Sequence, residues 1–71
     1  MPNRRFPPPW RVEAHPGGES LIVRDANGQA LAYVYFEDEP TRQMSMKRLS
    51  HDEARRIAAN IAKLPELLSK P

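Results

Sequence analysis

Apolar and polar positions alternate over Trp10-Arg11-Val12-Glu13-Ala14. This period of two predicts a half-buried strand. His15-Pro16-Gly17-Gly18 breaks it with turn-forming residues. Ser20-Leu21-Ile22-Val23-Arg24 predicts a second strand, rich in β-branched side chains. Asp25-Ala26-Asn27-Gly28 predicts a turn, because Asp bonds its own downstream backbone and Asn-Gly tolerates positive φ. Ala30 to Phe36 predicts a third strand, which Glu37-Asp38-Glu39-Pro40 ends. Residues 41–49 are polar and basic apart from Met44, Met46 and Leu49, and read as a loop or irregular edge.

A helix follows. Ser50-His51-Asp52-Glu53 matches a capping box, with Ser50 accepting the third amide and Glu53 reaching back. Ala54, Ile57, Ala58, Ile61 and Leu64 fall on one face at helical spacing, while Arg55, Arg56, Asn60 and Lys63 face water. Pro65 either ends the helix or opens a last turn through Glu66, Leu67 and Leu68.

A three-residue loop at Ala26-Asn27-Gly28 sets Asp25 opposite Gln29. Val23 then pairs with Leu31, Leu21 with Tyr33 and Ile22 with Ala32. One face carries Leu21, Val23, Leu31, Tyr33 and Tyr35, and the other carries Ile22, Ala30, Ala32, Val34 and Phe36. Both are apolar, whereas a sheet with one wet face alternates polar residues there. One helix covers one face. The expectation is therefore a second cover: the N-terminal arm, another copy of the chain, or a ligand.

The expected fold is α+β: a three-stranded antiparallel sheet in β-β-β-α order, packed on one C-terminal helix. Residues 1–9 are expected to form an extended arm, and residues 10–71 the single domain. Pro7-Pro8-Pro9 removes three backbone donors and favours polyproline II. Phe6 and Trp10 bracket it and suit either a lid on the same domain or a ligand for a proline-recognition module.

Seventy-one residues leave room for one domain with a marginal core. No cysteine is present, which excludes disulfides, thiolate zinc sites and thiol nucleophiles. The N-terminus lacks the apolar stretch of a signal peptide, and Ala30 to Phe36 is too short to cross a bilayer. A soluble, cytoplasmic protein without membrane attachment is expected. Residues 1–39 hold four arginines against six acids, and residues 40–71 hold seven lysines or arginines against three acids. A basic second half suits either a solvated helix face or an anionic partner.

Candidate chemistry is sparse. His51, Asp52 and Glu53 are consecutive, and neighbours on a helix point about 100° apart, so they do not converge on an ion. Glu37-Asp38-Glu39 lacks the alternating ligands and glycine of a calcium loop. Gly17-Gly18 and Gly28 belong to no phosphate-binding signature. No catalytic residue, metal ligand, cofactor or small-molecule substrate is expected.

The segments Phe6-Pro7-Pro8-Pro9-Trp10-Arg11-Val12-Glu13, then Arg24 to Phe36, then Asp52 to Pro65 resemble a group of very short hypothetical proteins common in alphaproteobacteria, rhizobia especially. The resemblance spans most of the chain and implies no activity or site residue. At the level of fold, the order β-β-β-α is similar to plant ethylene-response-type DNA-binding domains and to arm-binding domains of phage-type integrases. That likeness implies a sheet face carrying Arg and Trp into a DNA groove. Arg11 and Arg24, with Trp10 nearby, are the candidates here. The third strand departs from the pattern, having no Arg or Lys.

Two functions follow as expectations. The first is a non-catalytic protein-interaction module, a homodimer in its sharper form, using Phe6, Trp10, Leu31, Tyr33 and Tyr35. The second is a nucleic-acid-binding domain using Arg11, Arg24, Arg55 and Arg56.

Overall fold

The structure is a computed structural model and describes residues 5–68. β1 (Arg11–Ala14), β2 (Ser20–Arg24) and β3 (Ala30–Tyr35) form an antiparallel sheet in the order β1-β2-β3. Three helices follow: α1 (Pro40–Met46), α2 (His51–Ala62) and α3 (Leu64–Leu68). The expected α+β class and β-β-β-α order are present.

The β2–β3 connection forms as its residues dictate. The Asp25 N–H donates to the Gln29 carbonyl at 3.0 Å. Asp25 Oδ1 accepts the Asn27 and Gln29 amides at 2.9 and 2.8 Å. Gly28 takes φ 89°, where a Cβ would strain the backbone. The register then departs from expectation. Arg24 pairs with Ala30, but Val23 pairs with Ala32, Ile22 with Tyr33 and Leu21 with Val34. Leu31 is the extra residue of a β-bulge.

One extra residue exchanges the faces of β3. Ala32 and Val34 join Leu21 and Val23 beneath the helix, while Tyr33 and Tyr35 join Ile22 on the opposite face. Pattern alone was neutral here, because β3 is apolar on both sides. Packing decides: α2 lies close to the sheet through Ala54 and Ala58, both fully buried. Small Ala32 fits that close approach, and two tyrosine rings do not.

The core is Leu21, Val23, Val34, Ala54 and Ala58, with Trp10, Val12, Phe36, Leu49, Ile61 and Ala62 packed at its rim. Two members of the predicted helix stripe lie outside it. Ile57 is 42% exposed and Leu64 36% exposed. The buried stripe is instead Ala54, Ala58, Ile61 and Ala62, rotated slightly toward the alanines. The capping box forms in both directions: the Glu53 N–H donates to Ser50 Oγ and the Ser50 N–H to Glu53 Oε1. Pro65 opens the short α3.

Residues 41–49 are not the expected loop. Pro40 stands at the start of α1 with its φ already helical, and Glu39 accepts the Thr41 and Arg42 amides. Lys47 closes α1 in the left-handed region at φ 54°. Beyond it, Leu49 forms a parallel bridge to Phe36 and accepts the Glu37 N–H at 2.8 Å.

The described part of the arm bends rather than running as a straight polyproline rod. The Ala26 N–H donates to the Pro7 carbonyl at 2.9 Å, and the Trp10 indole N–H donates to the Phe6 carbonyl at 3.0 Å. Trp10 thus packs on the helix side of the sheet.

Candidate functional site on the open sheet face

α2 packs on one side of all three strands, and no other helix packs on a strand among the described residues. No helix covers the opposite face among the described residues. Its residues follow from the register. Arg11 stands beside Arg24, Glu13 beside Ile22 and Tyr33, and Ser20 beside Tyr35. Ile22 is only 1% exposed although no helix covers it. Its cross-strand neighbours, Glu13 and Tyr33, close over it.

The face has two halves of different chemistry. On the β1 side, Glu13 forms an ion pair with Arg24 and a longer one, 3.9 Å, with Arg11. Arg11 Nη1 also donates to the Asp25 carbonyl at 3.0 Å, and Arg24 Nη1 to the Gly28 carbonyl at 2.9 Å. These contacts turn both guanidinium groups back onto the protein.

On the β3 side, planar groups line up. The His15 ring lies 6.2 Å from Tyr33, and the Tyr33 ring is 6.5 Å from Tyr35 at an interplanar angle of 23°. The Arg48 guanidinium sits 5.9 Å from the Tyr35 centroid. Tyr33 and Tyr35 remain 48% and 53% exposed. Rings of this size half-open to water, adjacent on a flat face, are what a recognition surface offers.

The edge of β3 adjoins these rings. The Phe36 N–H donates inward to the Glu19 carbonyl, and the Glu37 N–H donates outward to Leu49. Backbone groups of an antiparallel strand alternate in direction. The N–H and C=O groups of Tyr35 and Tyr33 therefore point outward, away from β2; the bulge at Leu31 interrupts the alternation, and Leu49 bridges the end of this edge at Phe36. Past the edge, α1 packs against no other strand or helix among the described residues. It exposes Met44 and Met46 beside an open cleft of about 440 Å³ lined by Pro40, Thr41, Met44 and Ser45.

The structure divides the residues that sequence reasoning grouped together. Tyr33 and Tyr35 share the open face, and Leu31 is the bulge residue beside them. Trp10 lies on the other side, in the rim of the core. Phe6 belongs to the arm, under the Arg5 guanidinium at 5.3 Å. Arg11 and Arg24 share the tyrosine face, but Arg55 and Arg56 sit on α2, bound to Asp52 at 2.8 Å each. The Arg55 hydrogen bond and the Arg56 charge hold the Asp52 carboxyl below its ordinary pKa. His15 and Arg48 escaped sequence reasoning. His15 read as a turn residue, and Arg48 reaches Tyr35 only because Leu49 bridges to Phe36.

No group of three His, Asp or Glu side chains is placed to hold a metal among the described residues. The His51 ring packs edge-on against Phe36, and the His51 backbone N–H donates to Asp38 Oδ1. No described helix is long and apolar enough to cross a membrane. No family model, curated protein or solved structure matches this chain.

Proposed function

We propose that this protein is a non-catalytic interaction module that self-associates through the β3 side of the sheet face that α2 leaves open. The observation that carries this reading is the half-exposed pair Tyr33 and Tyr35 on a sheet face that no helix covers among the described residues. A seven-residue helix draws its stability from packing, and α1 packs against no other helix or strand among the described residues. A small domain whose buried hydrophobic residues are so few gains stability from a partner. The test is sedimentation equilibrium from micromolar to millimolar protein. A mass that rises with concentration supports the reading, and a monomer throughout removes it.

A second reading has one observation of its own. The bulge sets Arg11 and Arg24 on the same face as Tyr33 and Tyr35, with Arg48 at one end. Basic and aromatic groups on one sheet face suit a nucleic acid. Phosphate contacts release counterions, so binding of short duplex DNA at low salt would weaken steeply as salt rises. Absence of binding at low salt removes this reading. It ranks second because Glu13 and two backbone carbonyls already occupy both guanidinium groups.

A further inference from the structure

The Tyr33 and Tyr35 rings do not cover one another. They lie near-parallel, tilted by 23°, with centroids 6.5 Å apart. A stacked base step spans only ~3.4 Å, about half that separation. His15 stands 6.2 Å from Tyr33, and both tyrosines are half-exposed. The Arg48 guanidinium is 5.9 Å from the Tyr35 centroid, at the outer reach of a cation–π contact. His15, Tyr33 and Tyr35 therefore present flat faces in succession on the open side of the sheet, with a cation at the end.

Arg48 differs from the arginines around it. Arg11 and Arg24 meet Glu13, Arg42 meets Glu37, and Arg55 and Arg56 meet Asp52. Arg48 meets no carboxylate among the described residues, and the Leu49 bridge to Phe36 holds it beside the rings. Arg11, Arg24 and Arg48 thus stand against Glu13 on this face, which leaves a positive surplus.

We infer that this row binds an unpaired nucleic-acid strand, with bases stacked on Tyr33 and Tyr35 and a phosphate drawn to Arg48. The inference goes beyond self-association and does not depend on it. Aromatic rings take bases by their faces, and every base has one. A duplex hides those faces in its own stack and shows only edges in its grooves. An unpaired strand exposes them. The unneutralised Arg48 supplies the charge that a phosphate complements, and a neutral partner would leave it unused. Glu13 and two backbone carbonyls engage Arg11 and Arg24, so stacking carries more of the affinity than charge does. Neither contact uses the sugar, so RNA and DNA strands bind alike.

The test titrates the isotope-labelled whole chain with a mixed-sequence DNA strand of about twelve nucleotides, the RNA strand of the same sequence, and the blunt DNA duplex. The Tyr33, Tyr35 and His15 ring resonances are expected to shift with both strands and to stay with the duplex. Each phosphate contact on a single strand adds ~0.7 to the logarithmic salt slope, so a tenfold rise in salt should weaken binding by only about fivefold. Tyr35→Ala is expected to weaken binding by about tenfold or more with its α2 circular dichroism intact. Arg48→Gln should flatten the salt slope. A row that stays silent with every probe, a duplex bound as well as the strand, or a response to only one sugar would overturn the inference. So would undiminished binding by Tyr35→Ala, or shifts centred on Arg55 and Arg56. Sedimentation of the same samples keeps the two readings apart. A dimer whose tyrosines ignore the strand removes this inference and leaves self-association. A monomer that binds the strand does the reverse.

Discussion

Val23 lies opposite Ala32, and this one pairing sets which side of the third strand faces the helix. With Ala32 beneath α2, Val34 enters the core and the two tyrosines of β3 turn to the open face. The bulge at Leu31 is therefore the feature on which the candidate surface depends. The aromatic platform and the small helix-facing residues are two consequences of the same inserted residue.

Trp10 ties the arm to the helix side of the domain. Trp10→Ala removes a large rim contact with the core and the indole bond to the Phe6 carbonyl. A loss of about 2–3 kcal/mol is expected, at the low end for a large-to-small aromatic change because Trp10 is only half-buried. Urea denaturation followed by helix circular dichroism measures it. A loss confined to the arm, with an unchanged midpoint, would contradict the placement of Trp10 in the core rim.

The approach of α2 to the sheet is set by its alanines. Ala58→Leu forces extra atoms into a fully buried site and is expected to cost about 1–3 kcal/mol. Ile57→Ala, one residue away but 42% exposed, is expected to cost under about 1 kcal/mol. Thermal melts of the two variants should rank in that order. The reverse ranking would restore the apolar stripe expected from periodicity.

Asp25 is 1% exposed and organises the β2–β3 turn. Asp25→Ala leaves the Asn27 and Gln29 amides without their acceptor. Leaving these donors unpaired is expected to cost about 1–3 kcal/mol. Asp25→Asn keeps an acceptor oxygen and should recover part of the loss. Equal destabilisation by both variants would mean that charge, rather than the hydrogen bonds, holds the turn.

Helix α1 should respond to acid. The Arg42 and Thr41 amides donate to the Glu39 carboxylate and lower its pKa below the ordinary value. A depressed carboxylate contributes stability above its unfolded pKa, and that contribution fades as pH falls through the folded pKa. The Thr41 and Arg42 amide resonances are expected to move toward coil positions across that acidic range. Glu39→Gln should show weaker α1 shifts at neutral pH and no such transition. Amide shifts that ignore acidification would show that Glu39 does not cap α1.

The local elements were legible because short-range chemistry specifies them. Alternation in Trp10 to Ala14, β-branched residues in Ser20 to Arg24, and the Asp25-to-Gly28 turn each encode their own conformation. The Ser50–Glu53 box likewise defines the start of α2 within a single turn. α1 was less visible, since its N-cap is Glu39 rather than Ser, Thr, Asp or Asn, and its first residue Pro40 also reads as a strand stop. The sequence by itself therefore determined the order of strands, the main turn, the α2 cap and the absence of thiol chemistry. Only the tertiary structure decided the bulge at Leu31, the side taken by Tyr33 and Tyr35, the separation of Trp10 from them, and the company of His15 and Arg48. The physical reason lies in β3 itself. Its two faces are equally apolar, so hydrophobic pattern could not choose between them. The choice fell to the space beneath Ala54 and Ala58, which exists only once α2 is packed on the sheet.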